Sequence, residues 1–446
     1  MKSNRLLYIR GVALSLITLI ASACAPPPAN RPAAAPAAQP ANNEPIVVAV
    51  WSGPEHDNVV KVAAEYEKAT GAKVTIEELP RESYKDKLNT VLLGGASDYD
   101  AIYISGDWIP EYDAAGVLMP FGDFIKDPKV AGADLKLDDK QPGLDYATVN
   151  GKVYGYPSEG DTAWMWYRED LLKAKNIPVP TTWEEYLAAA QALNDPPNVY
   201  GALVGGKRDE ALWDFMHYLY AMGGEVVDPK TFEVKFNSPT SVKALEYWVD
   251  LRNKHKLTSP DVTNFGYNEI FAALQQGKAA LGVQWMAATK DLTDCKVSPN
   301  VCDKLKYTFV PGIKGADGKV SRGQGASSWA WSIPKAAKNP VGAYKFIEWL
   351  TGNVGAKMWA LNGGIPSNIA VLKDPDVVKQ IPQFALLAEI MPDRHLLANT
   401  TVSATLADAA HEAAAAAMAG TKSPQDAADA AAAKMTEALK KAGYLK

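Results

Sequence analysis

Residues 46–105 alternate short β-branched runs with helical ones, and this alternation restricts the possible architectures more than any other feature of the chain. Ile46–Trp51 reads as a buried strand. Residues 57–70 then place Val59, Val62, Ala63, Tyr66 and Ala69 at helical spacing, with Gly71 as the stop. Val74–Leu79 is extended, residues 85–93 are helical as far as Gly94-Gly95, and residues 100–105 form a third strand. Such alternation builds an α/β layer with a largely parallel sheet. The pattern resumes downstream. Residues 152–156 are extended, Thr182 and Glu185 form a capping box, and Ser238-Pro239 and Asn339-Pro340 each open a helix. The core faces of those last two helices are Val242, Leu245 and Val249, then Ala343, Phe346, Ile347 and Leu350. Alanine is the strongest helix former, so the Ala-rich residues 404–439 predict two helices, broken between Gly420 and Pro424.

The amino-terminal residues have a different character. Lys2, Arg5 and Arg10 precede an apolar run over residues 11–23 that is too short for a comfortable membrane span. This is the layout of an export signal. The run ends in Ala21-Ser22-Ala23-Cys24, which resembles the lipobox of bacterial lipoproteins, although that pattern usually has Leu where this chain has Ala21. Residues 25–44 are almost entirely Ala, Pro, Asn and Gln, a composition with too little bulky apolar surface to offset its ordering entropy. The expected organisation is therefore a signal peptide over 1–23 and a lipidated Cys24 opening a disordered tether over 24–44. The product would be extracytoplasmic and anchored to the cell membrane. The alternative is a plain secretory signal cleaved after Ala23, leaving a free cysteine.

The whole chain carries a formal charge of −5; its first 23 residues contribute three cations and no acid, so the remainder stands at −8. That excludes a generally basic nucleic-acid binder. With Cys24 acylated, Cys295 and Cys302 remain as a pair, and outside the cytoplasm a disulfide is the natural reading. Two cysteines with no adjacent histidine make a poor zinc site. No metal or other cofactor is expected.

Five stretches, in order, carry a family resemblance. They are residues 63–71 with Val74, residues 100–120 around Gly106-Asp107-Trp108, residues 151–171, residues 271–280, and residues 339–367. Together they resemble the family 1 extracellular solute-binding proteins, the maltose-binding-protein class that serves ABC importers. The resemblance implies a monomeric, two-lobed α/β periplasmic-binding-protein fold of type II. It also implies three crossover hinges and a ligand cleft that closes by hinge motion. Matched to the motifs, the hinges fall near 155–158, 309–312 and 362–366. Lobe one is then 45–155 plus 313–362, and lobe two is 158–310 plus 365–446. The implied partners are a sugar-like solute and the permease subunits of the importer.

A sugar offers C–H faces that stack on aromatic rings and hydroxyls that donate to carboxylates. Ligands of α/β sheets sit beyond the carboxyl ends of strands. Trp51 and Glu55 follow the first strand, and Asp107 and Trp108 follow the third. The resemblance assigns Asp107 and Asp161 as sugar-binding carboxylates, with Glu159 as a rival to Asp161; Asp107 could instead cap the following helix. Trp164 and Trp166 are expected to split, at most one facing the cleft. Trp213 on a helix, Trp285 after another strand, Gly325 for close backbone approach, Trp329 and Arg394 complete the candidates. The competing readings are a polyol or other small solute in the same fold, or a secreted glycosidase. Two carboxylates on a sugar also suit hydrolysis, but the chain has no G-x-S-x-G, H-E-x-x-H or P-loop motif.

Overall fold

A computed structural model of the chain describes residues 44–132, 137 and 143–446. Cys24 and the expected signal and tether up to residue 43 lie outside the described residues.

The strands that position the site are β1 (Ile46–Trp51), β2 (Val74–Leu79), β3 (Ala101–Ser105), β4 (Gly155–Glu159), β5 (Ala163–Arg168), β6 (Leu281–Trp285), β7 (Leu305–Thr308), β8 (Gln324–Gly325), β9 (Trp329–Ser332) and β10 (Arg394–His395). One sheet runs β2-β1-β3-β9-β4. Its β1, β2 and β3 are parallel, as the strand–helix alternation predicts. Strands β9 and β4 are not part of that alternation; β9 runs antiparallel to both β3 and β4, so the edge strand β4 points the same way as the first three. A second sheet, β6-β5-β7, is antiparallel throughout.

The helices follow from their local chemistry. The first, α1 (Pro54–Thr70), buries Val59, Val62, Ala63 and Tyr66 and ends on Gly71 in the left-handed conformation, at φ 75°. Next, α2 (Trp183–Leu193) carries the predicted capping box: Thr182 accepts from the Glu185 N–H at 3.2 Å, and the Glu185 carboxylate accepts from the Thr182 N–H. Helix α3 (Ala211–Ala221) is apolar nearly all round and is buried accordingly. Ser238 caps α4 (Pro239–Asn253) and Asn339 caps α5 (Pro340–Thr351), each followed by proline in the first turn. After α6 (Asn353–Leu361), the Ala-rich end forms α7 (Ser403–Ala419) and α8 (Pro424–Lys441), broken at Gly420. Cys295 and Cys302 are joined in a disulfide.

Separate cores define the two lobes. The first sheet packs with α1, α5 and Trp359 of α6. The second lobe has cores on both faces of its sheet. Ala163 and Met165 of β5 point into one, with α2, α3, α4, α7 and α8; Trp164 and Trp166 point into the other. The expected split between Trp164 and Trp166 is therefore corrected. Residues two apart on a strand share a face, and both rings are fully buried against Tyr307, at 6.1 and 5.2 Å.

The chain crosses between the sheets after Glu159 and again between Ala326 and Trp329. The second crossing differs from the expected 309–312. Ile313–Lys314 and Val320–Ser321 form a small hairpin that keeps the chain on the second lobe: Gly312 bridges to Thr182, and Gln324 and Gly325 pair with Arg394 and His395. After Leu361 the chain leaves α6 and returns to the second lobe, where Ile365 is buried.

Candidate ligand-binding cleft

Three strand ends of the first sheet converge on one aromatic group. Trp51 closes β1, and its indole N–H donates to the Glu55 carboxylate in the first turn of α1 at 2.9 Å. Its ring meets Trp329 at 4.1 Å, Tyr103 at 4.9 Å and Tyr84 at 5.5 Å. Trp108 joins through Trp329 at 5.3 Å. The Arg81 guanidinium lies 5.4 Å from the Trp51 ring and the Lys85 ammonium 5.0 Å from that of Trp108, both cation–π distances. Trp329 and Trp108 are half-buried, so part of each ring stays open.

The acids stand beside these rings. The Tyr103 hydroxyl donates to Glu159 at 2.8 Å. Burial, followed by the nearby Glu55 charge, pushes the Glu159 carboxyl up to about 7; the Tyr103 hydrogen bond and Arg81 oppose the shift. Burial and then Glu159 push Asp161 up as well, against hydrogen bonds from the Thr162 and Ala287 N–H groups. Asp161 is 5% exposed, and its Oδ1 has no hydrogen-bond partner. Asp107 lies in a short 3₁₀ turn after β3 and does not cap it; it accepts from the Ser105 hydroxyl, and burial raises its proton affinity.

The second lobe contributes Trp285, half-buried at the end of β6 beside His217 of α3. Trp213 stands one turn earlier on the same helix and meets His411 of α7 at 5.0 Å. The close approach expected at the Gly325 backbone is made in this structure by Met216. A Cβ there would lie 2.5 Å from Met216, and its carbonyl already accepts from the Thr162 hydroxyl at 2.8 Å. Arg394 lies beside Gly143 and Gly160, the latter between Glu159 and Asp161. Its guanidinium contacts the Met391 sulfur, lies in the field of Asp145 and Tyr146, and is lowered to about 10 by burial.

Several cleft residues escaped the sequence reading. Arg81 follows β2 closely, so the strand-end rule that found Trp51 and Trp108 could have found it. Tyr103 lies within a strand and His217 within an apolar helix, where the local pattern signals only core. Among the described residues, no group of His, Cys, Asp and Glu side chains is placed to hold a metal ion, and no helix is long and apolar enough to cross a membrane.

Comparison with known proteins gives the family and the fold. Residues 52–357 match the family described as bacterial extracellular solute-binding protein, and the chain belongs to that family. A probable amino-acid ABC transporter periplasmic-binding protein of Sinorhizobium fredii is 27% identical over 404 residues, covering 89% of each chain. Among solved structures, an ABC transporter solute-binding protein of Agrobacterium radiobacter in complex with ribitol has a TM-score of 0.75. It is 25% identical, and the match covers 90% of this chain and 100% of that one. Maltose-bound MalE3 of T. maritima also has a TM-score of 0.75, at 24% identity, with 89% and 100% covered, and shares the two-lobed fold.

Proposed function

We propose that this chain is the extracytoplasmic receptor of an ABC importer, binding a sugar or a polyol between its lobes and passing it to the permease subunits. The observation that carries this reading is one aromatic cluster at the strand ends of the first sheet, in which half-buried Trp108 and Trp329 rest on buried Trp51 and Tyr103 and the acids Glu55, Glu159 and Asp161 stand close by. Aromatic faces take the C–H surface of such a solute, and carboxylates accept from its hydroxyls with charge-assisted strength. The ribitol complex of the Agrobacterium relative is in keeping with a neutral, hydroxyl-rich ligand. The signal-like residues before Cys24 and the Ala/Pro-rich stretch after it support a receptor tethered to the membrane by lipid. The receptor acts as a monomer, and its lobes close about the three crossovers.

The test is a thermal-shift and tryptophan-fluorescence panel of maltose, arabinose oligomers, mannitol, ribitol, erythritol and the common amino acids. A cognate solute at 100 times its Kd stabilises the folded state by about 2.7 kcal/mol, so a clear rise in Tm is expected with a sugar or polyol. Hits confined to amino acids would overturn the reading, and release of reducing ends from an oligosaccharide would replace it with a hydrolase.

Asp107→Ala is expected to weaken binding of the panel hit by about 10- to 100-fold while the protein still folds, because a ligand hydroxyl loses its acceptor. Isothermal titration of the two proteins decides this. Equal affinities would leave Asp107 with only its local contact to Ser105.

A further inference from the structure

One short piece of the first lobe lies against the second. The 3₁₀ turn Asp145–Ala147 is anchored in the first lobe: Leu144 and Ala147 belong to its core, and the Ala147 carbonyl accepts from the Tyr154 N–H at 2.9 Å. The Tyr146 ring presses on Gly106 so closely that a Cβ there would overlap it. From the other side the second lobe takes hold of this turn. Asn399 follows Leu397 and Ala398 of the second-lobe core, and its amide donates to the Tyr146 carbonyl at 3.0 Å.

Arg394 meets the same piece of chain on different terms. Its Nη1 lies 3.4 Å from the Met391 sulfur, while Nε and Nη2 are buried with no hydrogen-bond partner. The guanidinium is wedged between two glycines. A Cβ at Gly143 would lie 3.1 Å from Nη2, and one at Gly160 would lie 3.1 Å from Nη1. Gly143 precedes the Tyr146 turn and abuts Pro157 of β4, so it moves with the first lobe; Gly160 belongs to the first crossover. The carboxylate that acts most on Arg394 is Asp145, which is exposed on the first lobe and accepts from the Tyr146 N–H. Among the described residues Arg394 forms no ion pair with it.

We infer that Arg394 and Asn399 set the balance between open and closed lobes with opposite signs: Asn399 clasps the first lobe and favours closure, and Arg394 opposes it. The inference rests on the receptor reading above, in which the lobes close about the crossovers. A buried donor left without a partner costs more than an ordinary hydrogen bond returns, and a charged donor costs more still. For Arg394 that cost lasts only while Gly143 covers the guanidinium. Opening carries Gly143 away with the first lobe and lets water and the Asp145 carboxylate reach Nε and Nη2. A solute that binds the closed form works against this cost, and its apparent affinity falls with the fraction of protein that is closed. Neither residue has to touch the solute, so each acts equally on every solute that closes the lobes. Such a restraint keeps the receptor able to release what it carries.

The test uses the full-length protein and the probes maltose, mannitol, ribitol and arabinose oligomers. Arg394→Met replaces the guanidinium with a side chain suited to the contact with Met391. It is expected to tighten every probe that binds by one common factor, about 5- to 50-fold, with slower dissociation. Asn399→Ala should weaken the same probes by a common factor of about 3- to 10-fold. Small-angle scattering of the ligand-free proteins should show Arg394→Met more compact than the parent. Weaker binding in Arg394→Met, or a change that differs widely from probe to probe, would make Arg394 a ligand contact and overturn the inference. Parent-like affinity and scattering in both variants would overturn it too. If Arg394→Met does not fold, Arg394→Leu and Asn399→Ala decide by the same signs. A parent that binds none of the probes overturns the sugar or polyol reading alone; the scattering curves need no ligand and still decide the balance.

Discussion

Glu159→Gln should make the ligand-free protein about 2 kcal/mol more stable than the parent at pH 8, and no more stable at pH 4.5. The Glu159 carboxyl binds its proton more tightly in the folded chain than in the unfolded one, because it is buried beside Glu55. Its folded value of about 7 stands above the ordinary 4.5. A group shifted in this direction supports folding fully below its unfolded value, and that support is lost as pH rises through about 7. Each tenfold change in proton affinity is worth about 1.4 kcal/mol, so partial exposure and relaxation leave about 2 kcal/mol. Denaturant unfolding at the two pH values measures the effect. Some pH dependence should remain in the variant, since burial also raises Asp214 of the second lobe to about 7. A variant whose advantage is the same at pH 4.5 and pH 8 would show that Glu159 is not protonated in this range.

The largest loss of binding is expected from Trp329→Ala. Trp329 meets Trp51, Trp108 and Tyr103, and it opens the strand that lies between β3 and the edge strand β4. Removing it deletes a stacking face and loosens the packing of Trp51 and Trp108. Buried aromatic anchors commonly contribute 2 kcal/mol or more to binding, so affinity for the panel hit should fall by about 100-fold or more. Trp329→Phe should recover much of it. Titration calorimetry against the same ligand checks both variants; a parent-like Kd in Trp329→Ala would remove the aromatic wall from the binding reading.

Much of the secondary structure could be read in advance, because its signals are local. The run Val74–Leu79 forms a strand over those same residues, and Thr182, Ser238 and Asn339 all cap the helices they precede. The strand-end rule picked out Trp51, Trp108 and Trp285, and each does end or closely follow a strand, because that placement reflects sheet topology and needs no side-chain geometry. Where the site depends on contacts distant in sequence, the reading stopped. Gly325 looked open until Met216, more than a hundred residues earlier, filled the space beside it. The crossing at 326–329 was hidden because the hairpin from Ile313 to Ser321 is held by pairings with Thr182, Arg394 and His395. His217 carries no local mark at all. Only the strand end at Trp285, brought beside α3 by the fold, distinguishes it from a core residue.

The three crossovers are tied to one another. The Gly160 N–H donates to the Ile365 carbonyl at 3.2 Å, the Ser327 N–H donates to the Asp161 carbonyl at 3.0 Å, and Thr162 bridges to Ala326. Three crossing segments stitched side by side have the layout of an axle, one that favours rotation about a single line over shear and splaying. Asp161 is mounted on that axle. On the reading proposed above, rotation about that line carries the tryptophans of the two walls farther than Asp161, which then offers an incoming solute the same acceptor in the open protein as in the shut one.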